Sequence, residues 1–481
     1  MTTPAVRRIA IIGGGFAGSL LALRLAGTPV VSPILIESGT RAGPGLAYGA
    51  AGAVHALNVP VARMEVGLDP DFQSWLADVT AETAEAVAEA GELGQAFVPR
   101  RLFGLYMAQR VEEAVAAGAV RRVHDEAVGV RRVRGAYEIA LAGGQRLEAD
   151  AVVLATGNLP PTSPNVTSSD GGQLANAQAF IRDPWAPGAL AAVSDETPVL
   201  LLGSGLTAVD IALALLARGH TADIHILSRH GLLPRVHVSG GAWPSFADAA
   251  VGRSPLQLLK LFRVQAAAAR RHGAPWQRVI DAIRPDIARI WSAWDDQARR
   301  RFLRHGRTLW DVHRHRMPAR IANRFIGLMD AGRLRCHAGR LAGFEADGKG
   351  LRLAIRPRHA HEARDLLVGH VINCTGPAGN YAEIDTPLYV DLRRQGLIKP
   401  DRLHLGLETV DTRVLGADGQ AVPGLYALGG LTRPAWWEIT AAPDIQAQVS
   451  RLAARLLEPD PQDRDLTEAV ADRIGLFISR D

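Results

Sequence analysis

The residues whose type and spacing bear most directly on chemistry are the glycines of two short loops. In "RIAIIGGGFAGSLLALRLAG", Gly13, Gly15 and Gly18 stand in GxGxxG spacing, after an apolar run and before a helix-like stretch. In "PVLLLGSGLTAVDIALALLARGH", Gly203 and Gly205 repeat the spacing, with Ala208 at the third place. The first glycine permits a tight turn, the second lets a phosphate approach the backbone, and the third lets helix pack on strand. A pyrophosphate then faces the free N–H groups of a helix N-terminus. Phe16 and Ala17 in the first loop, and Ser204, Leu206 and Thr207 in the second, share those turns and are candidate contacts.

The strand after each loop separates the two sites. After the first loop, "ILIES" ends in Glu37 and Ser38, and a carboxylate there accepts hydrogen bonds from ribose hydroxyls. After the second, "ADIHIL" ends in Ser228, Arg229 and His230. A carboxylate would repel a 2′-phosphate, whereas a hydroxyl and a guanidinium bind one with charge-assisted hydrogen bonds. The first site therefore suits FAD, and the second suits NADPH.

Two further stretches have to position these loops. "DAVVLATG" ends in Thr156 and Gly157, and "GHVINCTG" ends in Gly376; each reads as the strand that closes one dinucleotide fold. Each is preceded by an alternating stretch that reads as a small β-meander, at 127–149 and at 341–368. The pattern predicts an α/β fold of two nested Rossmann-like dinucleotide-binding domains with a helical insertion. The FAD-binding domain is expected in two segments, residues 1–162 and 375–481, joined by a Pro- and Ser-rich linker at 163–196 to an NADPH-binding domain at 197–374. That domain includes a helical insertion at 254–307, a lid or substrate-facing module or a plain elaboration. Near the end, "LYALGGLTRPAWWEITAAPDIQAQ" predicts a strand up to Gly429, a loop with Trp436, Trp437 and Glu438, and a helix opening near Pro443. Its N-terminus would favour negative charge on a flavin.

Composition excludes several other classes. The 481 residues are 47% hydrophobic and 21% charged, enough for two or three domains. Cys336 and Cys374 are the only cysteines, so there is no disulfide framework, CxxC pair or cysteine-rich metal site, and a cytoplasmic setting is expected. The glycines and Arg24 in the first apolar stretch argue against a signal peptide, and no membrane span is expected. The net charge is +5, and the basic side is almost all arginine, with lysine only at 260, 349 and 399. The densest basic stretch, 299–320, is read as a solvated face with local anion contacts, and nucleic acid is set aside as a partner. No metal is expected, because arginines interleave His313 and His315 and repel a cation.

Further motifs carry a resemblance. "GPGLAYGAAGAVHALNVPVARM", "FVPRRLFGLYM", "SRHGLLPRVH", "LWDVHRHRMP" and "WWEITAAPDIQAQ" together resemble the bacterial FAD/NAD(P)-binding protein family over nearly the whole chain. More distantly, the arrangement is similar to class B flavin monooxygenases of the N-hydroxylating and Baeyer–Villiger types. The resemblance implies an oxidoreductase that uses FAD, NADPH and O2 on a small molecule through a C4a-peroxyflavin, with N-hydroxylation of an amine or amino acid favoured. The sequence departs from those groups: the Baeyer–Villiger fingerprint is absent, Asn158 stands where N-hydroxylases usually have tyrosine, and Gly430 stands where many flavoproteins carry an aspartate. Candidate polar residues beside the flavin are Asn58 and Glu438, with Arg100 or Arg316 as anion-binding groups. Two alternatives stay open: an NADPH-dependent flavin reductase or dehydrogenase without oxygen transfer, and a flavin-bearing binding or sensor protein. Oligomeric state is not read from the sequence.

Overall fold

The strand Arg7–Ile12 alternates between two cores: Ile9 and Ile11 enter one apolar cluster, Ala10 and Ile12 another. A strand covered on both faces sits inside a parallel sheet, and side chains of period two divide between the layers. Ile11 lies opposite Leu35 of Val31–Glu37 on one side and opposite Val153 of Ala151–Leu154 on the other, both parallel. In the computed structural model, which describes residues 6–238, 240–348 and 350–458, these strands belong to a seven-stranded sheet. Residues 1–5 and 459–481 of the expected FAD-binding segments lie outside the described residues.

The sheet takes strands from both ends of the chain. Its other members are Arg121–His124 at one edge and Ala421–Ala427, Arg413–Leu415 and Thr409–Val410 at the other. On one face the helices Phe16–Leu25, Arg100–Ala116 and Ala442–Leu457 bury Leu20, Phe103, Tyr106 and Leu452. Each such side chain contributes on the order of 1.5–3 kcal/mol when withdrawn from water. The other face carries the helix Pro387–Arg394 and a three-stranded antiparallel sheet, Ala127–Val133, Ala136–Leu141 and Arg146–Ala149.

The second seven-stranded sheet draws on the sequence in between, with Val199–Leu202, Ile224–Ser228, His370–Asn373 and Leu334–Asp347 at its centre. Leu201 lies opposite Ile226 and Ile372, the same arrangement as around Ile11. The two meanders differ. The first forms the separate small sheet, whereas the second is continuous with the parallel sheet, because Leu334–Asp347 pairs parallel with Ile224–Ser228 as far as Ala338 and antiparallel with Gly350–Pro357 from Gly339. A Cβ at Gly339 would lie 2.5 Å from the Arg356 carbonyl oxygen, so only glycine fits where the strand changes partner.

Residues 163–196 do more than cross between sheets. Phe180–Ile181 adds a parallel edge strand to His370–Asn373, and Val166, Leu174 and Ala179 join the second sheet's core. Two paired residues are too short to show as periodicity. The helical region also exceeds its expected span, running from Ala247 to Asp330 in seven α-helices with Pro255–Arg271 the longest. Its core of Trp291, Trp294 and Ile283 takes in Leu405 and Trp437 from the C-terminal part of the chain. Trp291 stacks on Trp437 at 4.9 Å and donates its indole N–H to the Pro434 carbonyl oxygen at 2.7 Å.

Candidate active site between two dinucleotide cavities

Gly13 and Gly203 play the same part in their two sheets. Both have positive φ, +105° and +113°, and a Cβ at either would lie 2.4 Å from a carbonyl oxygen of the closing strand, Ala155 or Cys374. Each loop then opens a helix whose N-cap, Gly15 or Gly205, has no side chain to satisfy the first-turn N–H groups. Those donors are free for an anion. Gly18 is a packing glycine, since its Cβ would meet the Gly13 carbonyl oxygen at 2.0 Å, whereas Ala208 is accommodated fully buried.

The first cavity, about 470 Å³, is lined by Gly13, Gly15, Phe16, Ala17, Glu37, Thr156, Gly157 and Gly429 among others. Glu37 accepts from the backbone N–H groups of Gly14 and Gly39 at 2.6 Å each, which fixes the carboxylate and leaves each oxygen a further lone pair. The residues present fit a dinucleotide whose adenosine ribose carries free hydroxyls. The Gly429 N–H donates to Gln448 Oε1 at 2.8 Å, while Gln448 donates to Thr432, so the far wall is held by buried bonds. Ser38 and Pro443 do not line the cavity; Pro443 lies in the first turn of Ala442–Leu457, which contributes Ile445 instead.

The second cavity, about 920 Å³, is lined by Gly203, Ser204, Gly205, Leu206, Thr207, Ser228, Arg229, His230 and Gly376. Nothing lies within 4 Å of a Cβ built on Gly205, the open space that a pyrophosphate needs. Ser204 Oγ donates to the Leu232 carbonyl oxygen at 2.7 Å, and Ser228 Oγ accepts from the Gly231 N–H at 3.0 Å. Arg229 is joined at this end by Arg340, on the adjacent strand, which sequence order alone did not reveal. Burial and the neighbouring Arg358 and Arg229 depress the pKa of His230, favouring the neutral imidazole.

The two cavities share Asn158, Leu206, Thr207, Gly376, Pro377, Gly430 and Thr440. Here Asn158 and Gly430 are adjacent: a Cβ on Gly430 would lie 2.7 Å from Asn158 Oδ1, so an aspartate at that place would require the Asn158 amide to turn away. Asn58 lines the second cavity, exposed, and its carbonyl oxygen hydrogen-bonds the His237 ring at 3.0 Å.

Arg316 and Glu438 are not brought to either cavity. Arg316 is almost fully buried and paired with Asp281. Glu438 accepts from the Trp310 indole at 2.6 Å and pairs with Arg314 at 3.2 Å, and the Arg314 charge and that hydrogen bond hold its carboxyl pKa down against burial. Trp437 is core, and Trp436 donates to the Asp411 carbonyl oxygen at 3.2 Å. Arg100 lines the first cavity and pairs with Asp210 of the second glycine loop's helix at 2.7 Å, its guanidinium 5.1 Å from the Trp185 ring centroid. The basic stretch 299–320 is divided: Arg300, Arg301 and Arg304 face solvent, whereas Arg307, Arg314 and Arg316 pair inward with Asp311, Glu438 and Asp281. The sequence reading also missed Arg307, Asp311, His315, His404 and Arg433, which line the second cavity. The i,i+4 spacing of Arg307 and Asp311 was a usable sign of the first pair. Among the described residues no group of three or more His, Cys, Asp or Glu side chains is placed to hold a metal, and no helix is long and apolar enough to cross a membrane.

The comparisons agree with this geometry. Residues 10–159 match the model of a family described as FAD-NAD(P)-binding. An uncharacterized protein of Mycobacterium tuberculosis is 25% identical over 95% of this chain and 96% of its own. The fold is similar to that of the L-lysine 6-monooxygenase of Pseudomonas syringae, at TM-score 0.62 and 19% identity, covering 94% of this chain and 100% of the other. It is also similar to the ornithine N-hydroxylase of Kutzneria sp. 744, solved with reduced FAD, NADP+ and L-ornithine, at TM-score 0.61, 15% identity and the same coverage. The chain thus has an α/β fold of two Rossmann-like sheets similar to the fold of those two proteins, and its first glycine loop lies in the part that matches the FAD-NAD(P)-binding family.

Proposed function

We propose that the protein is an FAD-dependent, NADPH-consuming monooxygenase acting on a small molecule. The observation that carries this reading is the junction itself: two cavities, each headed by a glycine loop and an uncapped helix, share Asn158, Thr207, Gly376 and Gly430. Two dinucleotides bound head to head across that wall would bring their reactive rings together. The solved ornithine N-hydroxylase and L-lysine 6-monooxygenase of similar fold add support, and N-hydroxylation of an amine or amino acid is the favoured reaction.

The bound flavin supplies the two-electron and oxygen chemistry. The chain's own part is to bind, orient and exclude water. Glu37 selects the unphosphorylated ribose, while Ser228, Arg229 and Arg340 select the 2′-phosphate. Arg100 and Asp210 hold the two dinucleotide folds, 1–162 with 375–481 and 197–374, in register. Half-buried Asp311 has its pKa raised by desolvation, opposed mainly by Arg307, and it is the residue on the second cavity's wall suited to take a proton from a substrate.

The test is a stopped-flow experiment on the purified protein, reduced anaerobically and then exposed to oxygen. A transient absorbing species that outlasts the mixing, with little hydrogen peroxide once substrate is added, is expected. Immediate reoxidation without such a species would favour the reductase reading.

A further inference from the structure

The second cavity carries more positive charge than its dinucleotide end explains. At the wall nearest the junction stand Arg307, Asp311, His315 and Arg433. Arg307 is matched by Asp311, whose Oδ2 lies 3.3 Å from its Nε. His315 is kept neutral, since burial pulls its pKa down against the pull of Glu438. Glu438 is itself taken by Arg314 and Trp310. Arg433 is left over. Among the described residues no carboxylate lies within 4 Å of its guanidinium and no acceptor meets the guanidinium N–H groups, and its Nε is buried without a partner.

The placement of this side chain is built rather than incidental. Arg433 closes the turn Gly429–Thr432, which holds the shared residue Gly430, and its guanidinium sits 4.4 Å from the Trp437 ring centroid. Trp437 is in turn fixed by the stack on Trp291 and by Phe302, 5.4 Å away edge-on. Arg307 approaches the same indole at 5.8 Å. A guanidinium held on an aromatic ring loses little further freedom when it binds, and its planar fork matches a two-oxygen anion. A half-buried cation with no carboxylate in contact carries a desolvation cost, and a ligand carboxylate reduces it. Burial and Arg307 bring the Arg433 pKa down to about 10 against the more distant pull of Asp311 and Glu438, still ionised at neutral pH.

We infer that Arg433, supported by Arg307, is an anion subsite for the substrate, which therefore bears a carboxylate or an equivalent two-oxygen anionic group. This rests on the reading of the second cavity as the place where NADPH and substrate meet. Asp311 and His315 line the same cavity and are available to the rest of the substrate. The remaining cations of the cavity, Arg229 and Arg340, lie at the Ser228 end and serve the dinucleotide's own phosphate.

The experiment is calorimetric titration of the flavin-loaded protein with succinate, with neutral succinamide, with inorganic phosphate and with NADP+, for the natural chain and for Arg433→Gln. Succinate is expected to bind and succinamide not to, and Arg433→Gln is expected to weaken succinate by at least about tenfold, the loss of one charged hydrogen-bonding partner, with NADP+ affinity unchanged within about twofold. Arg433→Lys, which keeps the charge but not the fork, serves if the glutamine variant does not fold, and is expected to restore part of the binding. Succinate that binds both proteins alike, or does not bind the natural chain, overturns the assignment. So does a loss of NADP+ or phosphate affinity in step with succinate, which would give Arg433 to the dinucleotide. Failure of the protein to hold flavin, or of NADPH to bleach it, would instead overturn the monooxygenase reading and is seen separately in the visible spectrum.

Discussion

Replacing Arg100 by methionine tests whether the two dinucleotide folds are joined by one buried ion pair. Arg100 Nη1 lies 2.7 Å from Asp210 Oδ2, with side chains 19% and 10% exposed, and among the described residues no other cation lies within 4 Å of that carboxylate. Stranding a buried charge in this way costs about 3–5 kcal/mol, and partial solvent access reduces this to about 2–3 kcal/mol. For a melting unit of roughly 200 residues that is a loss on the order of 5 °C in Tm. The sign of the pH dependence comes from Asp210. Burial raises its pKa in the folded protein, opposed mainly by Arg100, so removing Arg100 raises it further. A carboxyl with a raised folded pKa binds more protons folded than unfolded, so its penalty is absent at low pH and grows as pH rises from the unfolded pKa through the folded one. Thermal melts of both proteins between about pH 4 and 7.5 should show the difference shrinking toward the acid end, and Asp210→Asn should remove most of it in the double variant. A penalty independent of pH, or one that persists in the Asp210→Asn background, refutes the reasoning.

Other outcomes rest on the same geometry. Gly205→Val places its side chain in open space, so Tm should hold within about 2 °C while KM for NADPH rises at least about tenfold, because the pyrophosphate's approach is blocked; a protein that melts early instead would show the position to be packed. Gly13→Ala adds a Cβ 2.4 Å from the Ala155 carbonyl oxygen at positive φ, and should cost several kcal/mol and the bound flavin together, read by melting and by flavin content after gel filtration. Arg229→Glu should lower kcat/KM for NADPH by about 10–100-fold and leave NADH within about twofold, measured as initial rates with each cofactor. Trp437→Ala opens a cavity under the Trp291 stack and should destabilise by about 3–5 kcal/mol in chemical denaturation.

The sequence disclosed those parts of the site whose chemistry is local in the chain. Gly13, Gly15 and Glu37, or Gly203, Gly205 and Ser228, are each brought together by a strand, a turn and a helix, so spacing alone reports them. Arg433 and Arg340 reach the second cavity from other strands and loops, and no local pattern marks them. Arg316 and Glu438 show the opposite error: they stand in motifs rich in functional residue types, yet tertiary packing gives each a buried partner and turns it away from the cavities. The fold shows the same division. The parallel strands are continuous apolar runs and legible as such, whereas Phe180–Ile181 is held by its neighbour His370–Asn373 and leaves no periodic trace. The helical region is longer than the expected span at both ends: Ala247–Ala250 is a single turn, too short to show a period, whereas Arg307–Arg314 and Ala319–Asp330, beyond the π-helical turn Phe302–Gly306, carry the 3.6-residue period and were legible but not read.

NADPH and FAD are expected to meet directly at the wall of Asn158, Thr207, Gly376 and Gly430. Anaerobic stopped-flow reduction of the bound flavin with NADPH and with NADPH deuterated at the transferring carbon tests it most directly. Rapid bleaching is expected, faster with NADPH than with NADH, with a primary isotope effect on its rate. Bleaching that shows no isotope effect and no preference for NADPH, or none at all with flavin bound, would contradict the claim.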